Sequence, residues 1–223
     1  MNKAIILLSG GLDSVVALSY CIKHTDYNVE LALTFDYGQK SLKNEIEASK
    51  KIVEYYNINH KIIKLDWLEE ITSSSLVSKE KNVPQEKFAT LNNAKSVWVP
   101  NRNSLFLNIA ASFCDSFGYK YIVYGANKDE ANIFPDNTEN FRRQVSQCFE
   151  TSTLIKPSVV APLINYTKDD IVRVAVEDSV PIELIRSCYN SGEKHCGKCE
   201  SCRYLKNALK ANNCEEYIKI LFD

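Results

Sequence analysis

The first 65 residues alternate short apolar runs with amphipathic stretches, and that alternation leaves few folds open. Ala4 to Leu8 is an apolar run of strand length, of the kind a parallel sheet buries on both faces. Val15 to Ile22, carrying Leu18 and Cys21, reads as a helix leaving that strand. Val29 to Phe35 is a second strand, and Ile46, Ile52, Val53 and Tyr56 mark an amphipathic helix over 41–57. HKIIKL at 60–65 is a third strand. Strand, helix, strand, helix, strand implies an α/β fold: an open parallel sheet with right-handed crossovers and helices on both faces.

Beyond residue 65 the periodicity fades until Val99, and Ser, Thr, Asn and Lys dominate. A stretch this long without its own pattern is expected to be an insertion, serving as a lid or a dimer contact. A helix resumes at 103–117, a fourth strand follows at 119–124, and further helices are expected at 138–150 and 167–179. Thr167 and Asp170 supply a cap for the last of these. The tail is a cysteine cluster running into a final helix. The expected division is an α/β domain over 1–186 and a helical, metal-binding appendage over 187–223.

The charge balance, 27 basic against 28 acidic side chains, argues against stable nucleic-acid binding, which normally rests on a basic surplus. No stretch approaches the ~18 consecutive apolar residues of a membrane span, and MNKAIILLSGGLDS lacks the long apolar region of an export signal. The expectation is a cytoplasmic protein whose eight cysteines are thiols, available for metal or redox chemistry.

SGGLDS at 9–14 sits between the first strand and the first helix. Backbone N–H groups at a glycine turn leading into a helix form an anion cradle, and Ser9 and Ser14 add hydroxyls. Gly10 and Gly11 let the backbone come close to a phosphate. Asp13 cannot bind phosphate itself, so it orients the loop or holds Mg²⁺. No Gly-Lys-Ser/Thr follows, so this is not a Walker loop. SGGLDS instead resembles the PP-loop of ATP pyrophosphatases. FDYGQ, with Phe35, Tyr37 and Gln39, ends the second strand at the same carboxyl edge of the sheet, where ligands bind. Beside such a loop it is a candidate adenine contact.

Cys188, Cys196, Cys199 and Cys202 have the spacing C-x7-C-x2-C-x2-C, which can close a tetrahedron of thiolates around Zn²⁺. Four sulfurs leave no open position, so the metal is expected to be structural. Lys194, Lys198 and Arg203, with His195, can offset the surplus negative charge. Cys21, Cys114, Cys148 and Cys214 fall in apolar or helical patterns and read as buried small hydrophobes.

SGGLDS, FDYGQ, VPNRNSLFLNIAASF at 99–113 and SCYNSGEKHCGKCESCRYL at 187–205 occur in that order. Together they closely resemble the 7-cyano-7-deazaguanine synthase family, over nearly the whole chain, and YGANKDEANIFPDNTENF at 124–141 looks like the archaeal form of its segment. The resemblance implies an ATP-dependent carbon–nitrogen ligase that converts 7-carboxy-7-deazaguanine and free ammonia to the nitrile, with Mg²⁺ and a structural Zn²⁺, as a homodimer. It places ATP on Ser9, Gly10, Gly11, Asp13 and Ser14. Arg102 and Asn103, at a helix start, would meet phosphate or the substrate carboxylate. Asn127, Glu130 and Asp136 would read the guanine-like edge, and Lys168 would reach phosphate; Asp13, Arg102 and Lys168 form the catalytic set. Two positions depart from the family's pattern: Arg186 stands where tryptophan is common, and Asn101 where a small residue is usual. Either is expected to alter the substrate pocket. Arg186 keeps open a relative that stops at the amide and joins the deazaguanine carboxylate to a protein amine. A PP-loop tRNA-modifying enzyme and a nonenzymatic nucleotide sensor are the remaining alternatives.

Overall fold

A computed structural model describes residues 2–85 and 91–222. The chain runs β1 (Asn2–Leu7), α1 (Leu12–His24), β2 (Tyr27–Asp36), α2 (Leu42–Tyr56), β3 (Asn59–Lys64), α3 (Asp66–Ile71), α4 (Leu91–Val97) and α5 (Arg102–Phe117). It continues with β4 (Tyr121–Val123), α6 (Lys128–Ala131), α7 (Glu139–Ser152), β5 (Ser158–Val160), α8 (Lys168–Glu177), α9 (Glu200–Ala211) and α10 (Glu215–Leu221). The strands form one sheet in the order β3-β2-β1-β4-β5, and every pair is parallel.

The period-2 alternation of β1 explains the layering. Ala4, Ile6 and Leu8 face one side and pack with α1, α8 and α9, while Ile5 faces the other and packs with Leu107 and Ala110 of α5. Ala4, Ile5 and Ile6 are fully buried, as a central parallel strand requires. The chain turns to one side of β1 to make β2 and β3, then crosses to the other for β4 and β5. That reversal opens a crevice at the carboxyl ends of β1 and β4, where the loops at 9–11 and 124–127 emerge.

Four expectations need correction. The sheet has a fifth strand, SVV at 158–160, too short to show a period of its own. The insertion carries α3 and α4, and buries Leu76, Val77 and Val83; residues 86–90 of it lie outside the described residues. Cys148 is exposed on α7 rather than buried. Cys21 and Cys114 are buried as expected, and burial pushes both thiols up to about 12, so they stay protonated. Asn101 lies outside the crevice, exposed, with a left-handed backbone (φ 53°) at the start of α5. Asn tolerates that conformation better than most side chains. Thr167 and Asp170 do form a reciprocal capping box on α8.

The tail is continuous with the body. Cys188, Cys199, Cys202, Leu205 and Leu209 share a hydrophobic cluster with Val15 and Leu18 of α1 and Ile171 of α8.

Candidate functional site

The crevice is a cavity of about 220 Å³. Of the residues singled out in the sequence, Ser9, Gly11, Asp13, Ser14, Phe35, Tyr37, Gln39, Arg102, Asn103 and Glu130 line it, whereas Gly10, Asn127, Asp136 and Lys168 are not part of its lining. Gly10 is structural: its φ is +75°, and a Cβ there would come 2.8 Å from the Ala48 Cβ. Gly125 matters through close approach, since a Cβ on it would lie 2.7 Å from the Ser14 amide nitrogen.

Within the loop the serine hydroxyls bond inward. Ser14 Oγ donates to the Gly11 carbonyl (3.0 Å) and accepts from the Ser9 amide (3.3 Å). Ser9 Oγ accepts from the Gly11 amide (3.3 Å) and lies 3.2 Å from Ser14 Oγ. These bonds hold the turn open ahead of α1, whose first-turn N–H groups have no intrahelical acceptor.

Asp13, in that first turn, pairs with Lys168 across the crevice floor at 2.6 Å, and Lys168 Nζ lies 3.5 Å from Glu130. The capping box that starts α8 aims Lys168 here, and its amide is held by Asp129 (2.8 Å). Burial opposes the lysine's charge, but Asp13 and then Glu130 outweigh it and hold the ammonium above its ordinary value. Burial raises the Asp13 carboxyl, against the pull of Lys168. Its Oδ1 is buried with no hydrogen-bond partner among the described residues.

The FDYGQ segment is braced from within. Phe35 stacks on Phe106 of α5, with ring centroids 3.9 Å apart, so that face of its ring is taken. Gln39 donates to the Phe35 carbonyl (2.9 Å) and to Glu45 (2.8 Å), and accepts from the Tyr37 amide (3.0 Å). The Tyr37 hydroxyl receives Arg102 Nη1 at 3.1 Å. Asp136, buried next to this arginine's field, has its carboxyl raised by burial with Arg102 opposing. Asn127 caps α6 by accepting from the Glu130 amide (3.0 Å), and its buried Nδ2 has no partner among the described residues.

Sequence reasoning missed several wall residues: Glu45, Leu76, Tyr124, Ser187, Tyr189 and Ser201. Glu45 had a local signal, since Ser41 stands one helical turn before it and donates to it at 2.6 Å. Burial raises the Glu45 carboxyl, against the Ser41 and Gln39 hydrogen bonds.

Cys188, Cys196, Cys199 and Cys202 bring their sulfurs within 4.8 Å of one another, a group that could hold a metal ion. His195 does not serve as a counter-cation. Its ring lies between the Ser187 amide (2.9 Å) and the Leu221 carbonyl (3.1 Å), and burial pulls its pKa down to about 4, so it is neutral. Arg186, buried beside the cavity, donates to the carbonyls of Asn190 (2.8 Å) and Glu193 (3.2 Å), bracing the cysteine segment.

A phosphate-type loop and a four-thiol cluster thus meet at one sheet edge, and comparison with known proteins gives that pairing a family. The family described as Queuosine biosynthesis protein QueC matches residues 3–213. The chain belongs to this family. A 7-cyano-7-deazaguanine synthase from Methanosarcina barkeri (strain Fusaro / DSM 804) is 47% identical over 220 residues, covering 92% of this chain and 94% of its own length. One from Carboxydothermus hydrogenoformans is 45% identical over 217 residues, covering 95% and 100%. Two solved structures share the fold. The U34-tRNA thiolase NcsA from Methanococcus maripaludis, with its [4Fe-4S] cluster, has a TM-score of 0.53 at 16% identity, covering 99% of this chain and 70% of that one. A 4-thiouridine synthetase–RNA complex with bound ATP has a TM-score of 0.52 at 21% identity, covering 98% and 52%. The chain is accordingly an enzyme with a PP-loop-type fold.

Proposed function

We propose that this enzyme converts 7-carboxy-7-deazaguanine and ammonia to 7-cyano-7-deazaguanine at the expense of ATP. The observation that carries this reading is the identity with named synthases across nearly the full length of both chains. The reaction explains why a phosphate loop is needed. A carboxylate is a poor electrophile because oxide is a poor leaving group. Attack of its oxygen on the α-phosphorus of ATP, with loss of pyrophosphate, gives an acyl adenylate. Ammonia then displaces AMP to form the amide. A second activation, of the amide oxygen, permits dehydration to the nitrile.

The roles follow from position. The backbone of Ser9, Gly10, Gly11, Asp13 and Ser14 cradles phosphate, and the helix terminus stabilises the anionic oxygens of each step. Arg102, held by Tyr37 and beside Asn103, meets the substrate carboxylate or phosphate. Glu130 lines the cavity and accepts from the guanine-like edge, with Asn127 bonded to its amide and Asp136 completing the set. Lys168 pairs with Asp13, opposing the burial that raises this carboxyl, and is the cation nearest the loop acid. Asp13 Oδ1, buried without a partner, suits an Mg²⁺ ligand, and that ion would neutralise phosphate charge. Four clustered thiols suit structural Zn²⁺, which would fix the fold of 188–202.

The test is incubation of the purified protein with 7-carboxy-7-deazaguanine, ATP, Mg²⁺ and ammonium, followed by mass spectrometry. Nitrile formation that is lost in Arg102→Ala is the expected result. An amide that never becomes nitrile would replace this reading with a protein-conjugating one, and absence of ATP turnover would overturn it.

A further inference from the structure

The cysteine segment touches the phosphate loop directly. The Arg186 amide donates to the Gly10 carbonyl (2.7 Å), and the Leu12 amide, in the first turn of α1, donates to Ser187 Oγ (3.1 Å). A Cβ placed on Gly11 would lie 3.3 Å from Ser9 Oγ and 3.9 Å from Ser187 Oγ. The two hydroxyls therefore border the same gap above Gly11, and all three residues line the cavity.

The hydroxyls differ in what they have left to give. Ser14 has used its proton on the Gly11 carbonyl, which makes Ser9 the donor in the Ser9–Ser14 contact. Ser187 accepts from Leu12 and, among the described residues, donates to nothing. A hydroxyl that accepts from a helix-terminal amide is polarised to donate in turn. Its seat is fixed from behind: the Ser187 amide is held by His195 Nε2 (2.9 Å), the His195 ring by the Leu221 carbonyl, and Cys188 of the thiol cluster is the next residue.

We propose that Ser187, delivered by the cysteine segment, is the hydroxyl that donates to a phosphate oxygen of the nucleotide in this cavity. The proposal rests on the reading of the cavity as an ATP site. Under it, the metal-binding tail has a direct part in nucleotide affinity, because the cluster that anchors Cys188 also sets the position of Ser187.

Calorimetric titration of the metal-loaded protein with ATP, pyrophosphate and adenosine tests this. Ser187→Ala is expected to weaken ATP and pyrophosphate about tenfold or more, the scale of one hydrogen bond to a charged group, and to leave adenosine unchanged. Ser187→Thr, which keeps the hydroxyl, is expected to restore both. If Ser187→Ala does not fold, Ser187→Gly removes the same hydroxyl. Unchanged ATP affinity in a folded variant, or an equal loss for adenosine, would overturn the proposal while the ATP reading stands. A parent protein that binds neither ATP nor pyrophosphate would overturn both.

Discussion

The loop at 9–14 and the cysteine segment meet at one cavity and are built by opposite means. The loop at 9–11 is held between β1 and α1, both deeply buried, and its shape is enforced by close neighbours: the Ala48 methyl behind Gly10, Gly125 against the Ser14 backbone. From Ser187 to Cys199 there is neither helix nor strand beyond one isolated bridge at His195. Side chains hold that stretch, through the Arg186 guanidinium, the His195 ring and four thiols. Sheet packing makes the first wall robust and self-sufficient; the second wall depends on a few cross-links and, above all, on what the thiols bind.

The largest effect should therefore come from metal removal. Structural Zn²⁺ contributes on the order of 10 kcal/mol to small metal-dependent folds. Chelation, or Cys199→Ser at the buried cluster, is expected to lower the melting temperature sharply and to release zinc, read by calorimetry and metal analysis. An unchanged melting temperature after complete metal loss would break the contrast at its centre.

Next comes Lys168→Met, which attacks the loop side. It leaves Asp13 buried near Glu130 without its cation, at a cost of about 3–5 kcal/mol. The pH dependence has a definite sign. Burial already raises the Asp13 carboxyl above 3.8, so the folded state holds that proton more tightly than the unfolded chain. The resulting stability is complete below 3.8 and is lost as pH rises through the folded value. Without Lys168 the opposing pull disappears and the folded value climbs further. Part of the variant's deficit should thus be recovered as pH is lowered from neutrality toward 3.8; a constant gap between variant and parent melting temperatures would refute the pairing.

Gly125→Ala is smaller in stability, about 1–3 kcal/mol of overpacking. Because the new methyl would meet the backbone of Asp13 and Ser14, its activity loss should exceed what its melting shift accounts for. Equal activity per folded molecule would show that the loop can give way. Gln39→Ala is the mildest: its loss of side-chain bonds beside Glu45 should cost about 1–2 kcal/mol. A nucleotide-affinity loss in that variant without destabilisation would turn Gln39 from a brace into a ligand contact.

The same contrast explains what could be read from sequence. β1 and β2 were legible because burial on both faces writes continuous apolar runs, α2 because one buried face writes a helical period, and the thiol cluster because a set of metal ligands is written as a spacing. β5 was not, since three residues carry no period. The insertion hid Leu76 of the cavity wall, whose packing is tertiary. Ser187 and Tyr189 sit inside a motif noted for its cysteines, and their approach to residues 9–14 is visible only in three dimensions. His195 resembled a cation beside thiolates until its two hydrogen bonds showed a neutral ring.

The Leu12–Ser187 contact joins residues 175 apart. During synthesis, β1, β2 and β3 leave the ribosome early and can pair, whereas the opposite wall is still unmade. Until residue 187 is made, the nascent chain carries the loop at 9–14 open on one side. Closure waits for Ser187 and the cysteine segment that carries it.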